Sequence, residues 1–278
     1  MAIWNKVTQE EINLIKSKKY NTKELSLLLN RHFGTITKIA RENGVKLPRR
    51  IVRKYEINEN FFDNWNKENA YWIGFIAADG CILEDKKGEP ATLNIALAEK
   101  DEEHLKTFRN IIGIKIPIKY KEKYKSVSLN VCSKSLCKKF VENGVTPRKS
   151  LTLKWIRNIP IDLISDFVRG YFDGDGYVRI IINKKYGYKN LEYSILGTED
   201  FLNGIKNEFC KIYGKSIGSL KSCQKWFNAY RLTFSTRSAL HFGKWIYTGS
   251  TVRLERKYKI FELFIKNANV PSFSSGVK

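Results

Sequence analysis

An apolar run ending in Asp-Gly occurs twice in this chain. Residues 70–80 read Ala-Tyr-Trp-Ile-Gly-Phe-Ile-Ala-Ala-Asp-Gly, and residues 166–176 read Asp-Phe-Val-Arg-Gly-Tyr-Phe-Asp-Gly-Asp-Gly. Small residues recur four apart: Ala70, Gly74 and Ala78 in the first copy, Gly170 and Gly174 in the second. Positions i and i+4 share a helix face. Each run therefore predicts a helix with a flat stripe, against which a second backbone can lie close. Gly80 and Gly176 stand at natural helix stops. Asp79 and Asp175 then fall at helix C-termini, where the dipole disfavours an anion. If the helices pack side by side in parallel, the two carboxylates converge and repel unless a proton or a cation sits between them. A divalent metal resolves that conflict. Two core helices ending in ordinary Asp-Gly turns would show the same apolar runs.

Charge narrows the partners. Lys and Arg number 50 against 28 acids, a net charge of +22 over 278 residues. Such an excess fits a polyanion. No apolar run reaches the ~18 residues of a spanning helix, and the N-terminus lacks a basic stretch followed by an apolar one. The expected location is the cytoplasm or an organellar matrix, close to nucleic acid, rather than the secretory route. The five cysteines show no Cys-x-x-Cys pairing, so reduced thiols are expected rather than a zinc site. The three histidines lie far apart and form no ligand motif.

Residues 1–45 predict three short helices. Thr8 with Glu11 forms a capping box for the first. Thr22 is expected to cap a second, with Leu25, Leu28 and Leu29 on one face. Residues 30–35 read as a turn containing Gly34, and a third helix follows to Glu42 with Ile36, Ile39 and Ala40 inward. Its outward side carries Thr35, Thr37, Lys38 and Arg41. The arrangement resembles a helix-turn-helix DNA-binding module with the third helix in the recognition position; a plain three-helix bundle has the same periodicity. Residues 46–57 read as a basic linker in which Arg49, Arg50 and Arg53 are candidate DNA contacts.

After each Asp-Gly the pattern repeats: hairpin, helix, hairpin, helix. In the first copy Leu93, Ile95 and Leu97 alternate with Thr92, Asn94 and Ala96, and Val127, Leu129 and Val131 with Ser126, Ser128 and Asn130. In the second, Arg231, Thr233 and Ser235 share a face. The halves are read as residues 58–155 and 156–266, with a flexible tail at 267–278. Antiparallel strands of this alternation have one apolar and one polar face. A twisted β-ribbon enters the major groove, which makes Asn94, Asn130, Arg179, Arg231 and Thr233 candidate base readers; a solvated sheet face is the alternative for each.

The nine residues from Trp72 to Gly80 and from Val168 to Gly176 resemble the signature of the LAGLIDADG homing endonucleases, present here in two copies. The resemblance implies an α+β fold: two pseudo-symmetric αββαββα repeats whose antiparallel sheets form a DNA-binding saddle, here preceded by the three-helix module. It implies a site-specific double-strand DNA endonuclease that hydrolyses one phosphodiester on each strand of a long asymmetric target. A divalent metal, Mg2+ first among them, would be held by Asp79 and Asp175 and by the carbonyls of Ala78 and Gly174. Lys149 and Lys257 would lie near the pocket, polarising a water or offsetting charge. Asp173 has Ala77 as its counterpart, so it is read as a local hydrogen-bonding residue. Glu99 is placed opposite the region of Gly197. With both motifs in one chain the protein is expected to act on double-stranded DNA as a monomer, without a membrane. Intron RNA is a further possible partner, through an RNA maturase role on the same fold; a catalytically inactive DNA-binding regulator is the other alternative.

Overall fold

The computed structural model describes residues 6–48, 55–182, 184, 187–223 and 227–267. The chain divides into two compact units, residues 1–54 and 55–278.

The first unit contains α1 (Gln9–Lys16), α2 (Thr22–Leu28) and α3 (Phe33–Glu42) around Ile15, Leu25, Ile36, Ile39 and Ala40. Thr8 and Glu11 make the expected capping box. Asn21 rather than Thr22 caps α2: its side chain accepts from the amides of Lys23 and Glu24, and Glu24 returns a bond to the Asn21 amide. Asn is the better cap, and the box needs an acid three residues on. The third helix begins before Gly34, because His32 Nδ1 accepts from the Gly34 amide at 3.1 Å. Leu28 faces solvent, since α2 ends there and Leu29 packs in its place. Val45 and Leu47 also close over this core.

The second unit repeats one pattern. Its first half is α4 (Lys67–Asp79), β1 (Gly80–Glu84), β2 (Pro90–Ala98), α5 (Glu102–Ile111), β3 (Lys119–Lys121), β4 (Ser126–Cys132) and α6 (Lys134–Glu142). The second is α7 (Ile164–Asp175), β5 (Gly176–Ile182), β6 (Lys189–Gly197), α8 (Glu199–Tyr213), β7 (Ser219–Ser222), β8 (Tyr230–Ser235) and α9 (Thr236–Tyr247). A last helix, α10 (Glu255–Asn267), follows; the first half has only a 3-10 turn, Lys149–Leu151, at the matching place. The sheets are antiparallel with orders β1-β2-β4-β3 and β5-β6-β8-β7. The outer strands β3 and β7 are short, three and four residues. Leu93, Ile95, Val127, Leu129 and Val131 form one buried sheet face, and Leu191, Tyr193, Ile195, Leu232 and Phe234 the other. Tyr55 and Ile57, read as linker from sequence, pack on this core.

Register corrects one equivalence. Gly80 pairs with Ile95 and Gly176 with Ile195. Gly197 therefore corresponds to Leu97, and Glu99 to Glu199.

Candidate active site

The site begins with α4 and α7, the most extensively packed pair of elements in the chain. A Cβ on Gly74 would lie 2.0 Å from the carbonyl oxygen of Phe167, and one on Gly170 would lie 1.9 Å from that of Tyr71. One on Gly174 would lie 2.4 Å from Ala78 Cβ. The contacts rise together along both sequences, so the helices run parallel with their C-terminal ends side by side. No residue larger than Gly fits against a neighbouring backbone at such distances.

Asp79 and Asp175 meet at these ends. Asp79 is half-buried and Asp175 opens to solvent, yet both are surrounded at longer range by the helix ends. Burial, then the charge of Asp175, lifts the Asp79 carboxyl to about 6, against the opposing pull of Lys257 and Lys149. Asp175 is also raised, by burial, with the two lysines opposing. Desolvation and like charge both favour the neutral acids, which is the electrostatic condition a bound cation relieves.

The two lysines are buried, with exposures of 7% for Lys149 and 3% for Lys257. Lys149 Nζ donates to the carbonyls of Ala78 at 3.0 Å and Gly80 at 2.6 Å. Lys257 Nζ donates to those of Phe172 at 2.8 Å, Asp173 at 2.7 Å and Gly174 at 3.2 Å. Each ammonium thus binds the orphan carbonyls at the end of its own motif helix, a favourable place for a cation. Burial lowers both, Lys257 to about 8. Lys257 has placed all three of its protons on backbone oxygens, whereas Lys149 keeps one. The second lysine is thereby fully occupied within the protein.

Asp173 lies behind the site, 1% exposed. It accepts from Tyr71 Oη at 2.8 Å, the Leu254 amide at 2.7 Å and Tyr247 Oη at 3.4 Å. It ties α7 to α4 and to the segment leading into α10.

A cavity of about 730 Å³ opens beside Asp175, lined among others by Lys149, Tyr171, Lys221, Arg231 and Thr233. Arg231 and Thr233 therefore share this cavity with Asp175. Asn94 and Asn130 are cross-strand neighbours, with the Asn94 amide donating to Asn130. Arg179 is paired with Glu192. In the first unit Thr37, Lys38 and Arg41 are exposed and Thr35 is half-buried. Arg49, Arg50, Arg53 and the tail beyond Asn267 lie outside the described residues.

Tyr171, Lys221 and Glu192 went unnoticed in the sequence. Tyr171 stands where the first motif has Phe75, a difference visible on alignment of the two copies. Its hydroxyl donates to the Leu196 carbonyl at 3.0 Å in the cavity that holds Asp175. The other two acquire meaning only through strand pairing.

Residues 66–143 match the LAGLIDADG-like domain family. No curated protein matches the chain. Among solved structures, the LAGLIDADG meganuclease I-AabMI bound to uncleaved DNA superposes with a TM-score of 0.51 at 16% identity, over 74% of this chain and 91% of that one. The meganuclease I-SmaMI, bound to uncleavable DNA with a TTCT central four, does so with a TM-score of 0.50 at 13% identity, over 73% and 91%. Among the described residues no helix is long and apolar enough to cross a membrane. Residues 66–143 thus carry a LAGLIDADG-like domain, and the two repeats together share the fold of the LAGLIDADG meganucleases.

Proposed function

We propose that the chain is a site-specific endonuclease that cuts both strands of double-stranded DNA as a monomer, with divalent-metal assistance. The observation that carries this is the convergence of Asp79 and Asp175 at the ends of two parallel helices, each end backed by a buried lysine. The carboxylates of Asp79 and Asp175 and the carbonyls of Ala78 and Gly174 are hard oxygen donors suited to Mg2+; each carbonyl keeps a second lone pair beside its lysine bond. A bound metal would supply Lewis-acid activation of the attacking water and stabilise the leaving oxygen.

The chain's own residues do the rest. Lys149 and Lys257 hold the helix-end carbonyls in place and offset the negative charge that gathers around the scissile phosphates. Arg231, Lys221 and Thr233 on the second sheet line the approach to Asp175. The polar faces of both sheets, together with Thr35, Thr37, Lys38 and Arg41 of the first unit, would carry the DNA.

The test is Asp79→Asn and Asp175→Asn, each assayed for cleavage and binding of a selected target duplex. Double-strand cutting should fall on the order of 10²- to 10³-fold, with affinity for the site kept within a few-fold. Full cleavage by both variants would remove the two carboxylates from the reaction.

A further inference from the structure

The polar faces of the two sheets carry different chemistry. On the first, the ladder sets Cys81, Asn94 and Asn130 in one row and Leu83, Thr92 and Cys132 in the next, with no charged side chain in either. On the second, Arg179 of β5 stands directly opposite Glu192 of β6. Glu192 Oε1 accepts from Arg179 Nε at 2.8 Å and lies 2.7 Å from Nη2. The Arg179 side chain remains 52% exposed and that of Glu192 only 20%.

An exposed ion pair contributes at most about 1 kcal/mol, and an anion on a face that approaches phosphates opposes binding. The contacts leave part of the guanidinium unpaired with Glu192. One carboxylate oxygen occupies the Nε–Nη2 edge of the guanidinium, fixing its plane. The Nη1–Nη2 edge is left for a second, bidentate acceptor. In the major groove that acceptor pair is O6 and N7 of guanine. Holding Arg179 before contact lowers the entropy lost when it engages a base.

We propose that Arg179, held by Glu192, reads a guanine in the half-site beneath the second repeat, and that Glu192 is its positioning residue. Ladder register gives Leu83 and Thr92 as the counterparts of Arg179 and Glu192 in the first sheet, so this pair is not repeated at the matching place of the other half. The inference rests on the reading of the sheets as DNA-binding surfaces.

The experiment is binding selection from a randomised duplex library in chelator, so that strands stay intact, using the full chain and the variants Arg179→Ala, Glu192→Ala and Glu192→Gln. The parent should enrich a guanine at one position of one half-site. Arg179→Ala should reduce discrimination there by roughly 5- to 150-fold, the range of one bidentate base contact, and leave other positions unchanged. Glu192→Ala should weaken the guanine preference while binding DNA at large as tightly or more so, since an anion has left the face; Glu192→Gln, which keeps an acceptor, should restore part of it. A merely structural pair would not separate preference from affinity. If Arg179→Ala leaves the base profile intact, with or without a drop in salt slope, Arg179 does not read a base. If Glu192→Ala keeps the full preference, its positioning role is wrong. A parent chain that enriches no sequence would overturn the DNA-recognition reading itself, an outcome distinct from an enriched site that Arg179 does not affect.

Discussion

His104 shows how far a single buried side chain can bias this fold. Its Nε2 lies 2.9 Å from the Tyr71 hydroxyl, which spends its one proton on Asp173. The imidazole therefore carries its hydrogen on Nε2 and donates to Tyr71. Burial holds His104 down to about 4, with Asp101 pulling upward and Lys257 and Arg256 pressing further down. The unfolded chain takes up this proton near 6.5 and the folded chain only near 4. Between those values the unfolded state binds more protons, so stability falls as pH is lowered through the window. The full difference corresponds to ~3 kcal/mol. Asp173, raised to about 6 chiefly by burial, contributes the opposite slope over part of the same range. The expected outcome is read by difference: His104→Gln should flatten the fall in denaturant-measured stability between about pH 6.5 and pH 4 relative to the parent. Parallel pH profiles would show that His104 is not the buried neutral group.

At the scale of elements, α4 and α7 set the distance between the carboxylates. That distance depends on glycines meeting backbone rather than mobile side chains, so relief by a rotamer change is closed off. Gly170→Ala should destabilise by at least ~3 kcal/mol, the upper end for overpacking, because a carbonyl oxygen and an amide nitrogen stand in its way. Gly88→Ala makes a useful comparison. Gly88 has φ +78° and open space around it, so it should lose only the left-handed backbone preference, ~1 kcal/mol. Urea unfolding of both variants measures the contrast; equal losses would mean that the helices can part without cost. Cleavage should fall with Gly170→Ala even where the protein remains folded, since any separation moves Asp175 away from Asp79.

For the molecule as a whole, the two compact units make a divisible reading testable. Tyr55 and Ile57 pack on the second core, and the Asn58 amide donates to the Ile112 carbonyl at 2.9 Å. A chain beginning at Tyr55 should therefore fold with its core complete, whereas one beginning at Asn58 should lose stability. The Tyr55–Lys278 chain should bind its duplex one to one, because both motif helices belong to it. Its affinity should fall and its salt slope should drop by roughly one for each phosphate contact removed. Titration across salt concentrations with sedimentation of the complex reads both. An unchanged slope would mean that residues 1–54 do not touch DNA, and a two-to-one complex would end the monomer reading.

The repeated Asp-Gly helices, the alternating strands and the capping box at Thr8 are legible from sequence because each is set by neighbours within about four residues. Helix periodicity, strand alternation and cap chemistry are local, and a duplicated pattern states them twice. The limits of that reading are equally physical. Asn21 displaced Thr22 as a cap through a reciprocal bond to Glu24, and the linker lost Tyr55 and Ile57 to a core formed by distant residues. The occupation of Lys257 by three carbonyls depends on where α10 returns to α7, more than 80 residues earlier in the chain. Glu192 gains its place beside Arg179 from ladder register, in which a slip of one residue would turn it to the opposite face. The sequence by itself determined which residues end the two motif helices. The tertiary structure decided what stands beside them, because burial, like-charge proximity and cross-strand pairing exist only once remote segments have packed.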